Sequence, residues 1–423
     1  MTRLQLPYGR KKLELLIPDQ QLAGILVSRT EQYKAAKSER ELVGHALANP
    51  IASRRLCELV KGKEKVVVVS SDHTRPVPSA LTMPLILQEI RMGNPQAAIT
   101  ILVATGFHRA SNAEELRDKY GAGIVANEEI VIHDCREQSS LLKIGTLPSG
   151  GELIINKLAM EADLLIAEGF IEPHFFAGFS GGRKSILTGI VSAKTVLANH
   201  CAEFIAHNRA RTGILQGNPI HEDMIDAAAK AELAFILNVV LDAEKKVINA
   251  FAGDRDKAHE RGCQFVSTLA GVKRKPADIV ITTNGGYPLD QNIYQAVKGM
   301  TAAESTCKQG GVIIIAAECS DGHGGEAFYQ TFKQAATVQE VMDDILARGR
   351  NDTLPDQWES QILARILLKF EVIMVTAAPR RMVEDMHMKW AANMDEALEL
   401  AEEIVGKGAT ITVVPDGVSV IVK

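Results

Sequence analysis

The chain lacks the features that mark several specialised protein classes. No apolar stretch reaches the roughly 18 residues that a membrane-spanning helix needs. The first residues, Met1-Thr2-Arg3-Leu4-Gln5-Leu6-Pro7, contain no long apolar core of a secretory signal. A cytoplasmic protein with no membrane partner is expected. Lysine and arginine form no long runs and the net charge is -5, so the basic footprint of a nucleic-acid binder is missing. Cysteine is sparse, at six residues (Cys57, Cys135, Cys201, Cys263, Cys307 and Cys319), and no two form a C-x-x-C pair. Buried free thiols in a reducing compartment are expected. Cys201 adjoins His200, which leaves a thiolate ligand open there, although adjacent side chains on a helix point about 100° apart. There is no internal repeat and no low-complexity segment.

What is present is the balance of a globular protein, with 46% hydrophobic and 23% charged residues. A length of 423 residues suggests about two or three domains at roughly 100–200 residues each. Short β-branched runs recur at 66–69, 99–103, 130–133, 164–166, 236–241, 279–282, 312–315, 372–375 and 410–414. Amphipathic stretches such as 80–92, 113–120, 292–307 and 394–405 alternate with them. Apolar strands separated by helices imply mostly parallel sheets covered on both faces. Two α/β domains are expected, with an active-site cleft between them. The charged, proline-ended segment Gly271-Val272-Lys273-Arg274-Lys275-Pro276 reads as a boundary. An N-terminal domain then covers 1–272 and a C-terminal domain 276–407, while 408–423, with the last strand, is assignable to either. The stretch 319–326 reads as a loop at a strand's carboxyl end, where open α/β sheets commonly bind ligands.

Several loops after strands are rich in reactive groups. Ser71-Asp72-His73-Thr74-Arg75-Pro76 follows the 66–69 strand. The Arg75 fork suits a substrate carboxylate, or else pairs with Asp72 to brace the turn. Gly106-Phe107-His108-Arg109 follows the 99–103 strand, and His174 follows the 164–166 strand and Gly169. An imidazole just past a strand end is placed for proton transfer near neutrality, though a structural histidine meets the same pattern. The segment His174-Phe175-Phe176-Ala177-Gly178-Phe179-Ser180-Gly181-Gly182-Arg183-Lys184 joins an imidazole, a glycine turn and an amine. Arg183 stands where a P-loop requires glycine, so a nucleotide triphosphatase is excluded. An anion nest at Gly181 and Gly182, with a helix following, remains open. Lys184 is a phosphate binder, a nucleophile or a surface lysine. His200, in the amphipathic stretch 191–205, is a core residue or a metal ligand. Gly121-Ala122-Gly123-Ile124-Val125-Ala126 matches G-x-G-x-x-A but follows a helix-like stretch, which weakens a dinucleotide reading. In Asn284–Lys298, Tyr294 and Lys298 share a helix face. With Gln295 they offer recognition of a small polar acid, or form an ordinary amphipathic helix. Trp358, one of two tryptophans, walls a pocket or packs in the core.

Together, Tyr8-Gly9, Ser71-Asp72-His73-Thr74-Arg75-Pro76, Gly106-Phe107-His108-Arg109, Glu172-Pro173-His174, Gly181-Gly182-Arg183-Lys184, His200, Asn284–Lys298 and Trp358 resemble the nickel-pincer lactate racemase family across nearly the whole chain. The resemblance implies a nickel-pincer nucleotide, a pyridinium mononucleotide joined to Lys184 through a thioamide. Two sulfurs and a ring carbon of it would hold nickel, with His200 as the protein ligand. It implies His108 and His174 as the acid–base pair, Arg75, Gln295 and Lys298 as substrate-binding groups, Tyr294 and Trp358 as lining residues, and Asp72 as an orienting group. Cofactor maturation proteins are implied partners, and the oligomeric state stays open.

The implied reaction is racemisation or epimerisation of a small 2-hydroxy acid, most simply lactate. Removing the α-proton would place a second negative charge beside the carboxylate. Removing hydride instead, while a base takes the hydroxyl proton, leaves a planar 2-keto acid that accepts hydride on either face. Two bases then serve the two enantiomers, and the electrophile must come from a cofactor. Malate, longer aliphatic or aromatic hydroxy acids and sugar acids are alternative substrates. A conventional NAD-dependent oxidoreductase and a non-catalytic hydroxy-acid-binding protein are the competing classes.

Overall fold

The computed structural model describes residues 1–423 and divides into two compact units. One comprises Arg29–His200 and His207–Leu269; the other comprises Met1–Ser28, Cys201–Ala206 and Ala270–Lys423.

The first unit is built on a six-stranded sheet in the order Val247–Gly253, Leu233–Leu241, Leu164–Phe170, Lys65–Ser71, Ala98–Ala104, Glu129–Ile132. All pairings are parallel except that of the Val247–Gly253 edge strand. The run Val66-Val67-Val68-Val69 explains the centre: four β-branched residues, buried on both faces, suit a strand covered by helices on each side. The chain starts the sheet at Lys65–Ser71, builds outward on one side, then returns to place Leu164–Phe170 on the other. The strand order therefore reverses between these two neighbours, and open α/β sheets commonly bind ligands outside the carboxyl ends of strands at such a switch point. The helix Ala113–Tyr120 matches the amphipathic stretch read from sequence and begins at a capping box of Asn112 and Glu115.

The second unit holds a six-stranded, wholly parallel sheet in the order Lys389–Ala391, Glu371–Val375, Cys307–Ala316, Ala277–Thr283, Ile411–Val414, Leu22–Ile25. Ile279, Ile281, Val312, Ile314, Ile373 and Val413 form its core with Leu6, Leu15 and Ile17 of the N-terminal hairpin. Two features differ from the domain limits read from sequence. Residues 1–28 belong to this unit, because Leu22–Ile25 pairs with Ile411–Val414. Residues 201–206 do too: Ala202–Ala206 packs on the helix Gln357–Leu367, where Gln361 Nε2 donates to the Ala202 carbonyl at 2.8 Å. The last strand, open in the sequence, lies inside this sheet. No helix is long and apolar enough to cross a membrane.

The helices Ile293–Glu304 and Gln357–Leu367 are tied by a bidentate pair, Arg365 Nε to Glu304 Oε1 at 3.0 Å and Arg365 Nη2 to Glu304 Oε2 at 2.7 Å. Both side chains are about nine-tenths buried. Removing one partner strands a charge out of water. Glu304→Ala is expected to destabilise the protein by about 3 kcal/mol, read as a lowered denaturant midpoint.

Candidate active site

In the first unit, three reactive loops leave the carboxyl edge of adjacent parallel strands. After Lys65–Ser71, Asp72 turns inward and is 1% exposed. Its Oδ1 accepts from the Thr74 amide at 3.0 Å and hydroxyl at 2.6 Å. Its Oδ2 lies 2.6 Å from His108 Nδ1, in the loop after Ala98–Ala104. Burial raises the Asp72 carboxyl, but hydrogen bonds from His108 and Thr74 and the nearby Arg75 outweigh it and hold it below its ordinary value. Asp72 is thus an anion that fixes the His108 proton on Nδ1 and leaves Nε2 as the basic position. The exposed Arg75 side chain does not take the Asp72 oxygens, which are held by Thr74 and His108. His73 is braced by Ser111 at 2.9 Å, and Arg109 by Glu115 at 2.8 Å; both serve the loop.

After Leu164–Phe170, a two-residue pairing of Pro173–His174 with Gly178–Phe179 folds the chain back. Gly178 has φ +79°, and a Cβ there would meet the Ile214 carbonyl at 2.3 Å, so only glycine fits. The hairpin brings His174 Nε2 within 3.0 Å of Lys184 Nζ. His174 Nδ1 accepts the Ala177 N–H at 3.3 Å. The ring thus holds the Lys184 amine against its Nε2 edge. Phe176 joins the group: its ring lies 4.6 Å from that of His174 and 5.0 Å from that of His200, with Lys184 Nζ at 5.9 Å.

His200 differs from the continuous amphipathic helix read from sequence. The helix Ala193–Asn199 ends at His200, whose φ −95°, ψ 26° breaks the run. The residue is buried, and desolvation together with the Lys184 charge pushes its pKa down to about 3. It therefore stays neutral, the metal-binding form of imidazole. Its Nδ1 contacts Asn199 Oδ1 at 3.1 Å, which orients the ring.

The glycine turn departs from the expected nest. Gly182–Ser185 is a single 3-10 turn, and no α-helix begins there. Gly182 N–H donates to Asn238 Oδ1 at 2.8 Å. Gly181 also packs on Asn238, and a Cβ on Gly182 would strike the His259 ring at 2.7 Å. These glycines let the turn sit against its neighbours and present Lys184. Arg183, which the sequence reading used only to exclude a P-loop, is 1% exposed. It donates to the carbonyls of Ala177 at 2.9 Å and Gly181 at 3.0 Å and to His221 Nδ1 at 2.9 Å, and it lies 3.0 Å from His259 Nε2. Glu168 was also missed. It is a lone acid in an apolar strand, and it accepts from Ser70, Ser79 and Thr82 at 2.5–2.6 Å beneath the Asp72 loop. Its isolation among apolar neighbours was the available signal.

In the second unit, Asn292 caps the helix Ile293–Glu304 by accepting from the Gln295 amide at 2.9 Å, which sets its first turn. Tyr294 donates to Asp356 Oδ1 at 2.8 Å and interacts with Trp358. Lys298 Nζ donates to Gln295 Oε1 at 2.6 Å. Tyr294, Gln295, Lys298 and Trp358 therefore gather on two packed helices, Ile293–Glu304 and Gln357–Leu367. All six cysteines are free thiols. Gly121 joins the helices Ala113–Tyr120 and Ala122–Asn127, so the G-x-G-x-x-A match lacks the strand–turn–helix setting of a dinucleotide site.

The comparisons agree along the whole chain. The lactate racemase N-terminal domain model matches residues 8–213, and the C-terminal domain model matches residues 272–422. The lactate racemase of Thermoanaerobacterium thermosaccharolyticum is 60% identical, and that of Lactiplantibacillus plantarum 54% identical, each over 100% of both chains. The solved lactate racemase apoprotein from T. thermosaccharolyticum superposes with a TM-score of 0.97 at 59% identity, covering 100% of both chains. A Thermotoga maritima protein shares the fold at 21% identity and a TM-score of 0.65, over 92% of this chain and 100% of its own. With both halves matched and two full-length relatives above half identity, the chain belongs to the lactate racemase family of isomerases.

Proposed function

We propose that this chain racemises lactate through a planar 2-keto acid, with hydride removed from one face of C2 and returned to the other. The relatives named lactate racemase support the reaction. The observation that carries the chemistry is the group around Phe176: an amine 3.0 Å from one imidazole, beside a second imidazole that burial keeps neutral. These donors fit a nickel-pincer nucleotide joined to Lys184, with His200 as the protein ligand of nickel. No three His, Cys, Asp or Glu side chains converge as a metal site, so a metal at His200 is not held by side chains of these types alone. When bound, that group supplies the hydride-accepting electrophile that side chains lack.

The chain's own residues do the rest. His108 takes the hydroxyl proton of one enantiomer at Nε2, while the Asp72 anion holds Nδ1–H and stabilises the imidazolium. His174 serves the other enantiomer. Arg75 forks two carboxylate oxygens, and Lys298 with Gln295 adds charge and a hydrogen bond. Tyr294 and Trp358 line the substrate. Gly181 and Gly182 hold the turn that offers Lys184 to the cofactor. Loading calls on maturation proteins as transient partners.

Intact mass tests the attachment. Protein produced with its maturation partners should carry a nucleotide-sized adduct that Lys184→Ala lacks, and unmodified protein with full activity ends the proposal. His200→Ala should lose nickel. His108→Ala and His174→Ala should keep nickel and adduct yet lose turnover by polarimetry with lactate. Asp72→Asn keeps the shape but removes the anion behind His108, and kcat should fall about a hundredfold or more. An unchanged kcat in Asp72→Asn removes Asp72 from the mechanism.

A further inference from the structure

Glu359 is used by none of the steps above. It lies in the first turn of Gln357–Leu367, is 0% exposed, and neither carboxyl oxygen has a hydrogen-bond partner. A buried carboxyl without donors is costly in either protonation state, and far more so when ionised. Its helix packs against Ile293–Glu304, which carries Lys298. Lys298 and Tyr294 interact with it electrostatically from that helix, and Asp356 does so from the start of its own. The charged groups of the other packed helices are engaged elsewhere: Glu203 with Arg350, Lys333 with Asp385, Asp344 with Arg348. Lys298 is therefore the cation that acts on Glu359.

We propose that Glu359 is a positioning residue that acts through Lys298, as the internal counter-charge that competes with a substrate carboxylate for its ammonium. Burial pushes the Glu359 carboxyl up to about 8, against the opposing pull of Lys298 and with a further push from Asp356. Near neutrality the carboxyl is protonated and the Lys298 charge is directed to substrate. As pH rises the carboxyl ionises and the two form an internal pair. A bound carboxylate adds negative charge beside Glu359, so binding draws a proton onto it. By linkage, affinity for the carboxylate falls as pH rises through this ionisation, by at most about tenfold per pH unit.

The inference rests on Lys298 being the lactate-binding lysine. The holoenzyme and Glu359→Gln are compared for lactate KM against pH. Protons taken up per lactate bound are measured by calorimetry in two buffers of different ionisation enthalpy. In the wild type, KM should rise several-fold from about pH 7 to about pH 9, with proton uptake on binding and kcat within about twofold. In Glu359→Gln the KM profile should be flat and the uptake absent. Glu359→Met, a second neutral variant, should behave alike. The folded-state carboxyl is raised, so its ionisation destabilises the fold as pH rises. Both variants should therefore unfold no lower than wild type at alkaline pH. The same KM slope and uptake in the variants overturns the proposal, as does a uniform loss of kcat at every pH. A holoenzyme that neither racemises nor binds lactate defeats the functional assignment itself, and the role of Glu359 with it.

Discussion

A guanidinium buried among carbonyls and imidazoles sets the geometry on which the first unit's chemistry depends. Arg183 holds the carbonyls of Ala177 and Gly181, at the two ends of the turn before Lys184. Burial pushes its pKa down to about 10, yet it stays charged at neutral pH. Its side-chain neighbours are neutral rings: burial and the Arg183 charge itself depress the pKa values of His221 and His259. A charge removed from water must be fully solvated by the protein, and that demand leaves the turn few alternatives. The neighbouring Lys184 is aimed as a result. Where a P-loop would have glycine, Arg183 clamps the backbone from inside.

Two buried acids show how environment assigns roles. Asp72 is 1% exposed but receives hydrogen bonds from Thr74 and His108, and remains an anion. Glu359 is as deeply buried, receives none, and is driven toward its neutral form. The difference lies in donor supply rather than depth. An anion behind His108 stabilises the positively charged form of that imidazole. A neutral acid near Lys298 leaves that ammonium without an internal counter-charge. Separated pKa values among similar groups are a usual sign of divided labour in a site.

The sheet topology explains why such distant segments of the first unit cooperate. The Asp72, His108 and His174 loops follow the neighbouring strands Lys65–Ser71, Ala98–Ala104 and Leu164–Phe170. Parallel strands place successive loops at one edge, and the reversal of strand order puts these three loops at the switch point. The Gly106 amide also donates to the Gly189 carbonyl at 3.1 Å, which ties the His108 loop to the segment following Lys184. Rigid strands thereby fix reactive groups on loops that are otherwise free to vary.

Much of this was legible in the chain itself. Runs such as Val66-Val67-Val68-Val69 announce buried parallel strands, and reactive residues just after them announce a site, because both signals are local in sequence. Asp72, His108 and His174 were singled out as candidates in this way, Lys184 from its glycine turn, and Tyr294 and Lys298 from their shared helix face. Tertiary structure alone decided what depends on distant pairing. It joined Leu22–Ile25 to Ile411–Val414, set Ala202–Ala206 on Gln357–Leu367, and closed the Arg183 cage with His221 and His259. It also broke the helix at His200 and left Glu359 without donors. Periodicity reports which face of an element is apolar. Which polar group meets which is set by packing between segments far apart along the chain, and that contact carries no local signature.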